Sequence, residues 1–426
     1  MGGLYLWVHR ERILQTPFIV ASPFIQRHLQ SPHESAVASV KRLPSPQMYT
    51  IGWITALDKE LTAALAVLEE EHQKPENFRK QPRDTNNYAW GRIGDHNVVI
   101  ASLAAGKYST VSAATTAGSM INSLLHLRFG LMVGIGGGIP RLADNIDIRL
   151  GDVVYDLGKL QSDGRFKRVG SLAPPPEVLL KGLAAPKARR RPKGPRIRQI
   201  LDDMLRNHPL LAEAEPDDDA FVHQGVQNDR LFEASSIHVQ RPDRQSALSS
   251  AATVPQDISK LQSAMAWLWS FLWLLYASAM ASTNAATSTF PFEDASLQEA
   301  TQTRACPHCD PKKEIKRRER RSPDPFVHYG VIASGNSVVK DGISRDEIVQ
   351  RLENKCICFE MEAAGLMDNF PCLVIRGICD YVDTHKNDRW QNYSAATAAA
   401  FAKELLGVMD SDDVERAKRI EEITKR

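Results

Sequence analysis

Between residues 48 and 160, short apolar runs alternate with helical patterns, and that alternation leaves few folds open. Residues 49–56 read as a buried strand. Residues 58–71 read as a helix with Leu61, Leu65 and Leu68 on one face. A second strand, 97–101, follows a turn at Gly94, Asp95 and His96, and 109–127 is an Ala-rich helix. A third strand, 129–133, ends in the glycine run 134–138. The pattern resumes at 326 with a strand at 327–333 and a short helix at 345–352. A strand at 356–360 then runs into a helix over 362–367, followed by a strong buried strand at 372–378 and an Ala-rich helix at 393–409. Strands and helices in this order predict an α/β fold, a three-layer α/β/α sandwich around a mixed, largely parallel sheet.

The remainder of the chain reads as additions to that domain, which spans 48–410. Residues 1–47 carry scattered Arg and Lys without a compact apolar core and cleavage site, so they predict a poorly ordered extension rather than a secretory signal. Residues 411–426 read as a charged tail. The basic, proline-broken run 187–193 has no interleaved aromatics, which favours a solvated loop over a nucleic-acid site. Residues 238–300 are an insertion rich in Ser, Ala, Gln and Thr around an apolar centre. That centre, 264–281, is near the lower length limit for a membrane span, and its tryptophans sit together rather than at two ends. A membrane-dipping helix, a helix buried against the domain and untypical sequence such as a translated intron all stay open.

A net charge of +2 gives no general drive toward nucleic acid or membrane. Six cysteines in 426 residues do not form a disulfide scaffold, and reduced thiols in a cytoplasmic protein are the expectation. Cys306 and Cys309 have the spacing of half a zinc site, with His308 between them. No second cysteine pair stands at a matching distance, so the reading is a solvated loop with two free thiols and no metal.

Three features carry candidate chemistry. Glu360 and Glu362 lie two apart at a strand end; both face one way if the chain is still extended and diverge if it has begun to turn. Asp380 ends an apolar strand, which puts it at the carboxyl edge of the sheet, where such sheets bind ligands. Apolar neighbours there would let it keep a proton; the plainer alternative is that it caps the following turn. The glycine run, with Gly136 and Gly137 at its centre, could bring backbone N–H groups to an anion or a sugar, but it is not a good dinucleotide fingerprint.

Together these segments resemble a known family. Ile51-Gly52 through Lys59-Glu60, then 133–138 and Leu150-Gly151-Asp152-Val153-Val154, resemble the amino-terminal half of the nucleoside phosphorylase and methylthioadenosine/adenosylhomocysteine nucleosidase superfamily. Residues 332–336, Phe359-Glu360-Met361-Glu362-Ala363-Ala364 and Arg376-Gly377-Ile378-Cys379-Asp380-Tyr381-Val382-Asp383 follow in the family's order. Their wording resembles the version of the domain in filamentous fungi, often fused to signalling or repeat domains. The resemblance implies a nucleoside phosphorylase-like fold, no cofactor, a homo-oligomer, and cleavage of the N-glycosidic bond of purine nucleosides.

The same resemblance implies roles. Asp380 would protonate the leaving base as general acid, and Glu362 would accept hydrogen bonds from the ribose hydroxyls, beside Glu360. Met361 would pack under the sugar, Val338 and Val339 would line the base, and Arg376 would orient a nearby carboxylate. Glu60 matches the carboxylate that positions the attacking water in the hydrolytic branch. A phosphorylase would instead need a phosphate cradle, with the glycine run, Lys107 and Arg128 as candidates. The segment after Val154 is shorter than the family's pocket-closing, subunit-contacting loop. That leaves a catalytically silent nucleoside-binding or signalling module as the alternative. A nucleotide-dependent oxidoreductase built on the glycine run is disfavoured by the missing fingerprint.

Overall fold

The computed structural model describes residues 40–156, 175–239 except Pro195, and 305–424 except Met367 and Asp368. The chain divides into two units, Met1–Val40 and Lys41–Arg426, and the sheet, the core and the site all belong to the second. Its strands are β1 (Lys41–Arg42), β2 (Ile51–Thr55), β3 (Glu70–Gln73), β4 (Tyr88–Ile93), β5 (His96–Ser102), β6 (Phe129–Gly138) and β7 (Val153–Asp156). After the insertion come β8 (Val327–Tyr329), β9 (Val331–Ser334), β10 (Cys356–Glu360) and β11 (Cys372–Asp380). Its helices are α1 (Asp58–Ala66), α2 (Thr110–Ser123), α3 (Glu177–Gly182), α4 (Ala184–Lys193) and α5 (Ile197–Asn207). Then follow α6 (Gly342–Arg351), α7 (Gln391–Leu406), α8 (Ser411–Arg416) and α9 (Ile420–Thr424).

One mixed sheet joins these strands in the order β1-β3-β4-β5-β2-β6-β11-β7-β8, with β10 added against β6 and β9 against β10. Its centre is parallel: β2 pairs with β5 and β6, and β6 pairs with β11. Period-two alternation splits the central strands between two cores. Trp53, Leu131, Val133 and Ile375 face α1, α5 and α7, whereas Ile54, Met132 and Val374 face the side of α2 and Phe370. The α/β/α layering follows from that division. The Ala-rich α7 lies close on the sheet, since a Cβ on Gly377 would collide with Ser394 O, and Ser394 Oγ donates to Ile378 O at 2.7 Å.

Several elements differ from their sequence reading. The first helix stops at Ala66, and Glu70–Gln73 becomes a strand against β4, secured by Glu69 N donating to Arg92 O at 2.9 Å. The expected strand 327–333 breaks at Gly330, so that β8 joins β7 and β9 joins β10. Its glycine is required there because a Cβ would press on the Ile357 side chain. The basic run 187–193 lies in helix α4; Pro186 sits in the first turn, where a missing N–H costs nothing. The helix expected at 362–367 is a single 3-10 turn, Ala363–Gly365. The 411–426 tail contains α8 and α9, whose Val414 and Ile420 are fully buried, and Ile420 N donates to Leu127 O at 2.8 Å. The sheet begins before 48, at Lys41, with Leu43 buried behind it.

The flanks of the insertion are held together. Ile315 N donates to Leu231 O at 2.8 Å, Glu233 N to Lys313 O at 2.9 Å, and Ala305 N to Asn228 Oδ1 at 2.7 Å. The readings for 1–39, for 240–304 with its apolar 264–281, and for the chain between 157 and 174 lie outside the described residues. Among the described residues no helix is long and apolar enough to cross a membrane.

Behind the site, β7 is tied to 318–328 through Asp152. This buried carboxylate accepts both guanidinium nitrogens of Arg320 at 2.7 Å, His328 Nε2 at 2.8 Å and Phe326 N at 2.9 Å. Burial pushes Asp152 up, but Arg320 and His328 outweigh it and hold it below the usual aspartate value.

Candidate active site

Helix α1 starts at Leu57, which has no side-chain cap to offer, and Glu60 in the first turn supplies it. Glu60 Oε2 accepts from Ala56 N at 2.6 Å and Leu57 N at 3.0 Å, and Oε1 accepts from Ile135 N at 2.8 Å. The side chain therefore links α1 to the glycine run of β6. Burial raises its pKa against the opposing pull of Arg376 and of the three N–H groups.

Arg376 lies in the middle of β11 with no solvent exposure. Its Nη2 donates to Glu360 Oε2 and, at 3.3 Å, to Glu362 Oε2. Glu360 also accepts from Glu362 N at 3.0 Å and Ala363 N at 2.9 Å, which fixes the end of β10. At Glu362 the chain has already turned (φ −125°, ψ −38°), yet both carboxylates meet the same guanidinium. Burial would lower the pKa of Arg376, but Glu360, Glu362 and Glu60 together raise it. Burial pushes Glu362 up, to about 7, with Arg376 opposing and Glu360 and Glu60 assisting.

The glycines of β6 make room for these groups. A Cβ on Gly134 would collide with Glu60 Oε1 and come within 2.6 Å of Arg376 Nη1. One on Gly136 would lie 2.8 Å from Cys358 Sγ, and one on Gly137 2.8 Å from Asp380 Oδ1. Gly137 pairs with Phe359 on one edge and Asp380 on the other. Gly136 and Gly137 were expected as a backbone cradle for ligand. The structure places both in β6, where the missing Cβ atoms admit the protein's own side chains. Gly134 and Gly137 are three residue steps apart along the strand, about 10 Å between their backbones. Arg376, which gathers the carboxylates, pairs with Gly134, and Asp380 pairs with Gly137.

Asp380 is buried, but not among apolar neighbours alone. Its Oδ2 accepts from Lys386 Nζ at 2.7 Å, and its Oδ1 accepts from Val382 N at 2.9 Å. The aspartate does cap the following turn, in which Val382 adopts φ +56°. Burial pulls the Lys386 ammonium down, and Asp380 more than restores it. Asp380 also lines a narrow cavity with Arg230, Cys306, Asp383 and His385.

The other expected residues are dispersed. Met361 is half-buried between the two glutamates. Val338 is 51% exposed and Val339 half-buried on the loop after β9, so neither joins the buried cluster. Arg128 precedes β6 at the edge opposite Gly138, where its Nη1 donates to Ala417 O at 2.8 Å, so it cannot share a phosphate cradle with the glycines. Lys107 lies on the loop after β5, in a cleft with Tyr108 and Ser109. Sequence reasoning missed Lys386 and a cluster of His238, Cys309 and His385, whose ligand atoms lie within 4.8 Å of one another. Cys306 and Cys309 were the available signal for that cluster, but the histidines come from distant segments.

The raised Glu362 value has a consequence for stability. Its folded-state pKa of about 7 lies above the unfolded value of 4.5, so the native state holds this proton more tightly. The stabilisation is complete below the unfolded value and is lost as pH rises through the folded one. The melting temperature is expected to fall between about pH 4.5 and 7, and Glu362→Gln to flatten that fall. Parallel profiles for the two proteins would remove Glu362 as its source.

No family model matches the chain. It is 38% identical over 387 residues to a nucleotide-binding leucine-rich repeat (NLR)-like protein of Hyaloscypha variabilis, covering 87% of this chain. The chain spans only 30% of that protein's length. Solved structures similar to it include a 5'-methylthioadenosine/S-adenosylhomocysteine nucleosidase from Neisseria meningitidis, crystallised with methylthio-immucillin-A. That match has 12% identity and a TM-score of 0.41, covering 84% of this chain and 98% of the other. Another is the futalosine hydrolase of Helicobacter pylori, at 16% identity and a TM-score of 0.38, covering 85% of this chain and 99% of that one.

Proposed function

We propose that the chain cleaves the N-glycosidic bond of purine nucleosides. The observation that carries this reading is the buried Arg376, which holds Glu360 and Glu362 at one end of the glycine strand while Asp380 stands at the other. Such cleavage develops positive charge on the ribosyl ring and needs a proton or strong hydrogen bond on the departing base. A carboxylate pair gathered on Arg376, with an acid further along the same strand at Asp380, offers one group to each end of a nucleoside. In this reading Glu362 faces the sugar hydroxyls and Asp380 serves the base, once Lys386 has yielded its oxygen. Glu60, whose oxygens are aimed by three N–H groups, favours water as nucleophile over phosphate. The test is free-base release from a nucleoside panel with and without phosphate. Release in phosphate-free buffer, strongly reduced in Glu60→Gln, is expected. A strict need for phosphate, with ribose 1-phosphate as product, would transfer the chain to the phosphorolytic reaction.

A second reading, a nucleoside-binding signalling module without turnover, is favoured by two observations. Lys386 occupies Asp380 Oδ2 at 2.7 Å, and the sequence relative is an NLR-like protein of which this chain matches a part. Thermal stabilisation by nucleosides without base release would select it.

A further inference from the structure

Beyond the nucleoside site, we infer that Cys306, Cys309, His238 and His385 form a structural zinc site. Ligand atoms of His238, Cys309 and His385 converge within 4.8 Å, with His238 Nδ1 and Cys309 Sγ at 3.3 Å. Tetrahedral zinc with Zn–S of about 2.3 Å and Zn–N of about 2.0–2.1 Å places neighbouring ligands about 3.3–3.8 Å apart. Cys306 is the fourth ligand of the proposal: it precedes Cys309 in a tight turn, Cys309 N donating to Cys306 O at 3.3 Å, and its thiol, which lies outside the 4.8 Å group, would turn inward on metal binding. His308, between them in sequence, is exposed and points to no partner in the cluster.

The surroundings are those of a ligand set. Both ring nitrogens of His385 and Oδ2 of Asp383 are buried without a hydrogen-bond partner, although these residues are only 7% and 3% exposed. Buried polar atoms are costly when unpaired, and a metal on one imidazole nitrogen would satisfy the ring. Asp383 Oδ1 stands 3.6 Å from His385 Nδ1, the position of a carboxylate that orients a metal-bound histidine. Phe232 stacks on His385 at 4.0 Å and 8°, fixing the ring plane. Val239 N donates to Cys309 Sγ at 3.4 Å, as backbone amides do toward metal thiolates. Arg230 donates to Cys306 O at 2.7 Å and holds that residue in its left-handed conformation, φ +53°.

The site has an architectural purpose. His238 precedes the 240–304 stretch, the cysteines follow it, and His385 lies on the loop that also carries Lys386. One ion would close the stretch at its base and brace the loop beside Asp380. Mixed sulfur and imidazole ligands in a closed site suit zinc over magnesium or calcium. Binding would displace the thiol protons, so uptake should release acid.

The full chain, produced with zinc and desalted, is expected to carry about one zinc per molecule. Replacing zinc by Co(II) should give the visible bands of tetrahedral cobalt and a near-ultraviolet thiolate charge-transfer band. Cys309→Ser and His385→Ala should lose most of the metal, and His308→Ala should keep it. If the ligand variants fail to fold, the Co(II) spectrum of the unaltered protein still decides. A folded, reduced wild-type chain that retains no zinc after loading and gives no thiolate band overturns the proposal. So does metal retained undiminished in folded Cys309→Ser and His385→Ala proteins.

Discussion

Free-base release by an Asp380→Asn variant is expected to fall at least about 100-fold, with the apparent KM changing far less. General acid catalysis contributes about 10²–10⁴ in rate, and asparagine keeps the shape of aspartate without a transferable proton. The turn after β11 should survive, because an amide oxygen can still accept from Val382 N, which aspartate does at 2.9 Å. The ion pair to Lys386 will not, so melting temperature must be recorded alongside the kinetics. A Lys386→Met variant separates the two effects. It leaves Asp380 in place, with Oδ2 accepting only from Cys379 Sγ at 3.3 Å, and is expected to retain turnover. Near-normal turnover by a folded Asp380→Asn protein would take Asp380 out of the reaction. Loss in Lys386→Met equal to that in Asp380→Asn would make the ion pair, rather than the acid, the essential feature.

The layered fold was legible because the central strands carry their burial in consecutive apolar residues. The strands around Trp53, Leu131 and Ile375 are unreadable as anything else. The end of α1 was not legible, since Leu65 and Leu68 continue the helical spacing past Ala66 and only pairing with β4 pulls Glu70 into a strand. The glycine run was only partly legible for a related reason. A sequence shows that a backbone can be approached, but not by what, and here the approaching groups are Glu60, Arg376 and Asp380. The resemblance placed Arg376 beside a carboxylate, and the structure adds that Glu360 and Glu362 share it. Lys386 was invisible because its reach to Asp380 depends on the reversed backbone at Val382, φ +56°. His238 and His385 were invisible because no spacing rule links segments that only the fold brings to one CxxC turn.

Arg376→Met is expected to be the most damaging single substitution in the chain. Arg376 is completely buried, and its guanidinium neutralises a group containing Glu60, Glu360 and Glu362, all under 10% exposed. Removing one partner of a buried ion pair costs about 3–5 kcal/mol, because the remaining charge is stranded. Here the stranded carboxylates also repel one another, and typical domains have only about 5–15 kcal/mol in all. Little folded protein should be recovered near neutral pH. The sign of the pH effect separates this cause from simple loss of packing. Glu60 and Glu362 already have raised values, and without Arg376, which opposes that rise, they should take up protons more readily. The variant should therefore regain stability as pH falls, and adding Glu360→Gln should rescue it in part at neutral pH. Arg376→Lys keeps the charge but reaches fewer oxygens, so it should fall between the two. Soluble yield and melting temperature of the three variants at about pH 5 and about pH 7 make the comparison. An Arg376→Met protein that folds as well as wild type, or that is no better at the lower pH, would show that this guanidinium does not hold the carboxylates together.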